Sequence, residues 1–178
     1  MPSSFYRTGA AFAYEGPAAS LAKGLKYRNQ PYLAKGMAAY LVIQWGRLQW
    51  PLPDAIIPIP LSFSRWIERG YNQSQLLAHE MGELLQCPVV SPLKKKSGTF
   101  TQAALPLEHR KLLTAQQFTC TSSSLPLENK TLLLLDDVAT TGATLHACAE
   151  VLQQKGANKL YALTFCRTFT HANDLVMN

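Results

Sequence analysis

Leu132-Leu133-Leu134-Leu135-Asp136-Asp137-Val138-Ala139-Thr140-Thr141-Gly142-Ala143-Thr144 is the stretch on which the fold turns. An apolar strand over Thr131–Leu135 delivers two adjacent carboxylates to its C-terminal end, where α/β sheets place their ligands. Side chains alternate along a strand, so the two acids diverge unless the backbone turns there; a turn would let both reach neighbouring hydroxyls of one sugar. A short loop with two threonines and one glycine follows, running into a helix from about Gly142 to Gln154. The backbone N–H groups of such a loop, its hydroxyls and the positive end of the helix suit a phosphate monoester. Taken separately, adjacent acids are commonly a solvated strand end and Thr-Thr-Gly a helix cap. Joined in one uninterrupted segment, they favour a phosphorylated sugar. A nucleotide-binding P-loop is excluded, because Gly142 is followed by Ala143 rather than by Lys. The three spaced glycines of a dinucleotide site are missing as well.

Working outward, Gly156 is placed to end that helix, and Leu160–Phe165 reads as a further strand. Upstream, Tyr14 to Trp45 reads as helical, divided by Pro31, and Trp50-Pro51-Leu52-Pro53 is a stiff connector. Asp54–Pro60 reads as a short buried strand. Asn72–Gln86 reads as an amphipathic helix, with Asn72 and Gln75 as a capping pair, and Val89-Val90 as a brief strand. Ser91–Pro106 has no sustained period and reads as a mobile loop carrying Lys94, Lys95 and Lys96. Thr119–Ser124 reads as a turn. Strands alternating with helices imply a parallel sheet with helices on its faces.

Composition sets outer bounds. The chain has 178 residues, enough for one domain with a real core, and 47% of them are hydrophobic. No apolar run approaches the ~20 residues that span a bilayer, and Met1–Thr8 lacks the layout of a secretory signal. The expectation is a soluble, cytoplasmic protein without membrane insertion. Seventeen Lys and Arg against eleven Asp and Glu leave a net charge of +6, which favours polyanions without choosing between phosphorylated metabolites and nucleic acid. Cys87, Cys120, Cys148 and Cys166 lack the spacing of a zinc or redox motif and read as free thiols. Trp45, Trp50 and Trp66 read as packing residues, although tryptophan can also stack on bases.

The central segment closely resembles the 5-phosphoribosyl-1-pyrophosphate (PRPP) motif of type I phosphoribosyltransferases, with hydrophobic residues before two acids and a Thr-Thr-Gly loop. Further stretches resemble the ComF family of competence proteins: Ile57-Pro58-Ile59-Pro60-Leu61, then Arg65, then Arg69-Gly70-Tyr71-Asn72-Gln73. Thr99, Gln102, Leu105, Arg110 and Phe118 are similar to that family's middle section. Tyr14-Glu15-Gly16-Pro17 and Leu25-Lys26-Tyr27-Arg28 are similar to the opening of its transferase-like domain. The resemblance covers Tyr14 to Arg167.

It implies a type I phosphoribosyltransferase-like α/β fold over 51–178, a mostly parallel sheet flanked by helices, with a small helical N-terminal segment over 1–50 packed on it. It further implies Mg²⁺–PRPP as ligand. Asp136 and Asp137 would contact the ribose hydroxyls and possess any direct tie to the metal. Ala139, Thr140, Thr141, Gly142, Ala143 and Thr144 would hold the 5-phosphate. Arg65 and Arg69 lie where related transferases carry the pyrophosphate loop, and the planar guanidinium suits a diphosphate. Lys94, Lys95, Lys96, Gln102 and Arg110 would belong to a flexible loop that closes over PRPP. The family suggests a part in natural transformation, with single-stranded DNA and competence-machinery proteins as partners. A non-catalytic interaction module and a nucleobase salvage transferase are the alternatives. The chain departs from the pattern in three places. It begins without the zinc-binding cysteine cluster that many members carry, it has Leu113 where the family has Asn, and Thr140 replaces a carboxylate that serves some purine transferases as a base.

Overall fold

A computed structural model describes residues 5–96, 117–121 and 126–168. Its organising element is a nine-residue strand, β5 (Thr131–Ala139), in which all four leucines are fully buried. Leu132 and Leu134 point to one face and Leu133 and Leu135 to the other, so both faces must be covered. The sheet is built to do that. Its order is β1 (Arg7–Ala13), β6 (Lys159–Arg167), β5, β2 (Ala55–Pro58), and every pairing is parallel. The expected parallel sheet flanked by helices is what forms.

One face is covered by α1 (Gly16–Tyr27), α2 (Leu33–Leu48) and α4 (Gln73–Leu85). They bring Leu25, Met37, Leu41, Leu77 and Met81 against Ile56, Leu133, Leu135 and Phe165. The other face is covered by α5 (Ala143–Gln153), through Leu145, Cys148 and Leu152. Beside it lies a two-stranded antiparallel ribbon of β3 (Leu93–Lys95) and β4 (Phe118–Cys120), which contributes Leu93 and Phe118. The short helix α3 (Phe63–Arg69) buries none of its residues.

Several elements differ from the sequence expectation. The first fifty residues hold the two expected helices but also β1, an edge strand of the main sheet. Its Gly and Ala residues and partial exposure leave no clean alternation to read. Lys94 and Lys95 lie in β3 rather than in a loop: Leu93 is buried, and Lys95 lays its ammonium 5.5 Å from the Phe118 ring. Lys96 follows as an exposed residue. The expected turn at Thr119–Ser124 begins inside β4. Val89 makes a single parallel bridge to Ile56, so the Val89-Val90 strand is one rung long. Gln75 does not complete a capping box, because its side chain instead accepts from Ser91 Oγ at 2.8 Å.

No helix of the described residues is long and apolar enough to cross a membrane. Cys87, Cys120, Cys148 and Cys166 are free, as expected.

A sheet covered on both faces makes a specific demand. Leu133→Ala and Leu134→Ala, on adjacent residues with opposite orientation, should each cost about 2–5 kcal/mol in urea unfolding. A large loss for one and a negligible loss for the other would contradict the double-sided core.

Candidate functional site at the C-terminal end of the sheet

β2 ends at Pro58, opposite Leu135, and the chain leaves through Ile59, whose N–H donates to Leu135 O at 3.0 Å. β5 runs on for four residues past that point, which frees Asp136 and Asp137 from a neighbour on the β2 side. The backbone does not turn at the acids. They sit within the strand and their side chains diverge, as strand alternation requires. Asp136 goes to α4, where Ser74 Oγ donates to its Oδ1 at 2.7 Å; the N–H of Asp137 donates to the same oxygen at 2.9 Å. Asp137 goes to α1, where Lys26 Nζ donates to Oδ1 at 3.4 Å and lies 3.3 Å from Oδ2. Oδ2 is buried and receives no hydrogen bond among the described residues.

The two helices are positioned by local chemistry. Asn72 caps α4 by accepting from Ser74 N–H at 3.1 Å, and its own amide donates to Ile59 O at 2.9 Å. One side chain thus ties the start of α4 to the exit of β2 and sets Ser74 beside Asp136. In α1, a Cβ on Gly24 would lie 2.5 Å from Gln30 Oε1 and 2.8 Å from Leu33 Cδ1. Both are ends of flexible side chains, so Gly24 lets Gln30 and Leu33 pack closely on α1, and Lys26 sits in the last turn of that helix. Tyr71 adds a tie by donating its hydroxyl to Leu25 O at 2.7 Å.

Burial, and then the neighbouring charge of Asp137, push the Asp136 carboxyl up to about 7. The hydrogen bonds from Ser74 and Asp137 N–H and the charge of Lys26 act in the opposite direction. The thiols behind the acids respond in kind. Cys166 is pushed up to about 12 by burial and by Asp137, and Cys148 is also raised, by burial and by Asp136.

After β5, Ala139 is buried and its carbonyl accepts from Thr168 N–H at 3.0 Å, which anchors the loop. Thr140 and Thr141 are exposed. Gly142 has φ of 72°, a left-handed conformation that favours glycine, and serves as the N-cap of α5 without a side chain to fill that role. Thr141 Oγ1 accepts from Ala143 N–H at 3.4 Å. Ala143 and Thr144 open the helix. The eight residues from Asp136 to Thr144 named in the sequence therefore form one edge.

Arg69 joins Lys26 in a cleft of about 430 Å³ that also includes Tyr27, Asn29 and Tyr71. Its guanidinium lies 5.1 Å from the Tyr27 ring centroid, and Nη1 donates to Gln73 Oε1 at 3.2 Å. Arg69 Nε and Gln73 Nε2 are buried donors without a partner among the described residues. Arg65 is exposed on α3 and close enough to Lys95 to depress its pKa, after burial, the larger cause. Gln102 and Arg110 lie outside the described residues, as do Thr99, Leu105 and Leu113. Lys26, Ser74 and Gln73 were not singled out as site residues by sequence reasoning. The only signal was their presence within or beside the stretches that carry the family resemblance.

No family model matches the chain. Competence protein F of Haemophilus influenzae is 31% identical over 152 residues, covering 83% of this chain and 66% of that protein. DNA utilization protein YhgH of Salmonella typhi is 30% identical over 172 residues, covering 94% of this chain and 74% of that protein. The chain thus spans about two thirds to three quarters of the length of these relatives. Among solved structures, glutamine PRPP amidotransferase from B. subtilis aligns with 80% of this chain and 30% of its own, at a TM-score of 0.52 and 13% identity. That likeness concerns the fold, which is the type I phosphoribosyltransferase fold. On the strength of the YhgH match across nearly its whole length, the chain belongs to the ComF family, which includes competence protein F and DNA utilization protein YhgH.

Proposed function

We propose that the chain binds PRPP with Mg²⁺ at the C-terminal end of β5 and serves the handling of single-stranded DNA taken up in natural transformation. The observation that carries the first part is the juxtaposition of Asp136 and Asp137 with the Thr-Thr-Gly turn and the start of α5, where the N-cap Gly142 has no side chain. The second part is supported by the names of the relatives, a competence protein and a DNA utilization protein.

In this reading the ribose hydroxyls approach from the C-terminal end of β5, and different hydroxyls donate to Asp136 and Asp137, whose side chains diverge. The amides from Thr140 to Thr144 and the threonine hydroxyls hold the 5-phosphate, with the helix end favouring its charge. Arg69 and Gln73 offer their unpartnered donors to the diphosphate, a demand that the guanidinium fork meets. Among the described residues no group of three His, Cys, Asp or Glu could cage a metal ion. This fits Mg²⁺, which commonly takes one or two carboxylates and draws its other ligands from phosphates and water. Asp137 and Asp136 are the residues that would hold it, and its chemistry there would be to neutralise charge on the diphosphate. If the chain is catalytic, an acceptor displaces diphosphate at the anomeric carbon.

A second reading is an interaction module that keeps the fold without the chemistry. Thr140 favours it, because threonine cannot act as a base at neutral pH as a carboxylate can. Release of pyrophosphate with any acceptor, including a free base of the salvage class, would rule against it.

Calorimetric titration of Mg²⁺–PRPP into the wild type should give saturable binding. Asp136→Ala combined with Asp137→Ala should weaken it by on the order of tenfold to a hundredfold for each charged hydrogen bond lost. Equal binding by the two proteins would reject the site.

The raised Asp136 pKa gives a second expectation. Folding raises the group from 3.8 to about 7, so its stabilising contribution is complete below 3.8 and is lost as pH rises through about 7. Ribose hydroxyls that donate to the carboxylate favour its ionised form, so binding should expel a proton and tighten as pH rises to about 7. Binding enthalpies just below that pH should therefore differ between phosphate and Tris buffers, and Asp136→Asn should abolish the difference. A buffer-independent enthalpy in the wild type would contradict it.

A further inference from the structure

Helix α3 stands out for what it leaves in water. None of its seven residues is buried, and it exposes Phe63 at 64%, Trp66 at 50% and Ile67 at 63%. Phe63 and Trp66, one turn apart, hold their rings 6.3 Å between centroids and only 12° from parallel. Two nearly parallel, exposed rings make an apolar shelf. The other two tryptophans, Trp45 and Trp50, are buried and pack edge to face in the core.

The shelf borders a groove of about 290 Å³ between α3 and β3. Pro58, Pro60 and Leu61 form part of its lining, and Lys94 and Lys95 stand at its side. Among the described residues no acid lines it. Arg65 projects from α3 near enough to Lys95 for the two cations to repel each other. Cations gathered around an apolar groove without an acid call for an anion from outside. Asn72, which also lines the groove, caps the helix that holds Ser74 against Asp136, so the groove adjoins the sugar-binding edge.

We infer that the Phe63–Trp66 shelf and the lysines of β3 form a docking surface for single-stranded DNA, bases stacking on the rings and phosphates meeting Lys94 and Lys95. This rests on the proposed DNA-handling role and deepens it by naming where the strand lies. Every base has a π-face, so a stacking platform flanked by cations holds single strands with little sequence preference. Duplex DNA keeps its bases inside and cannot use the rings. An acidic protein surface would satisfy the lysines but has no need of two parallel aromatic rings.

The test uses the whole chain with a labelled oligo-dT strand, followed by fluorescence anisotropy, and by the emission of Trp66, the one exposed tryptophan. Stacking is worth ~1–3 kcal/mol per base, so Phe63→Ala combined with Trp66→Ala should weaken binding about tenfold or more. Trp66→Phe should recover most of the loss. Lys94→Ala combined with Lys95→Ala should flatten the salt dependence by roughly one to two phosphate contacts. Unchanged affinity in the aromatic double variant would overturn the inference. So would equal binding of duplex DNA, tighter binding of an RNA strand of equal length, or tighter binding to anionic vesicles. A large drop in melting temperature for Trp66→Ala would also overturn it, since the ring would then be packed against the chain itself. Mg²⁺–PRPP titration of the Phe63→Ala, Trp66→Ala variant keeps the two ideas apart. Its PRPP binding should be intact, so loss of DNA binding there cannot be charged to the sugar site, nor can failure of PRPP binding in the wild type be charged to the shelf.

Discussion

Two carboxylates on consecutive residues of a strand that is buried on both faces are costly to hold, and the surrounding structure answers that cost. Burial and the neighbouring charge of Asp137 oppose ionisation of Asp136. The strand turns their side chains apart, and each meets a different helix. Asp136 gains the Ser74 hydroxyl and the Asp137 amide, and Asp137 gains the Lys26 ammonium. The helices in turn are placed by Asn72, which ties α4 to the β2 exit, and by the close packing of Gln30 and Leu33 on α1 at Gly24. Removing either tie would loosen a carboxylate rather than only a helix end.

The compensation is incomplete, and the shortfall lies on one side of the molecule. Asp137 Oδ2, Arg69 Nε and Gln73 Nε2 are buried polar atoms without hydrogen bonds among the described residues. Such atoms are uncommon in folded proteins, because each one left unpaired costs about 1–3 kcal/mol. Two donors kept in reserve beside a carboxylate whose oxygens share one lysine match a ligand with both hydroxyls and anionic oxygens. A phosphorylated sugar carries both.

Much of this was legible in sequence, for a physical reason. The leucine run, the two acids and the Thr-Thr-Gly loop are contiguous, so the central strand, its sheet type and the turn into α5 could be read from one window. What escaped was of two kinds. Short or small-residue strands gave no period: β1 is built largely of Gly and Ala, and β3 and β4 have three residues each. The partners of the acids escaped because their contacts are tertiary. Ser74 reaches Asp136 across 62 positions and Lys26 reaches Asp137 across 111. No local pattern marks a lysine or serine for such a role. The tryptophans divide the same way: Trp45 and Trp50 are the packing residues that their sequence suggested, whereas Trp66 is half exposed on a helix that buries none of its residues.

The central claim is that the edge formed by Asp136, Asp137 and the following turn grips a phosphorylated ribose. The most direct measurement is a crystal soaked with Mg²⁺–PRPP. The account predicts ribose hydroxyls on Asp136 and Asp137 and the 5-phosphate against the amides of Thr140 to Thr144. Ligand density elsewhere, with those amides facing solvent and Lys26 still on Asp137, would contradict it.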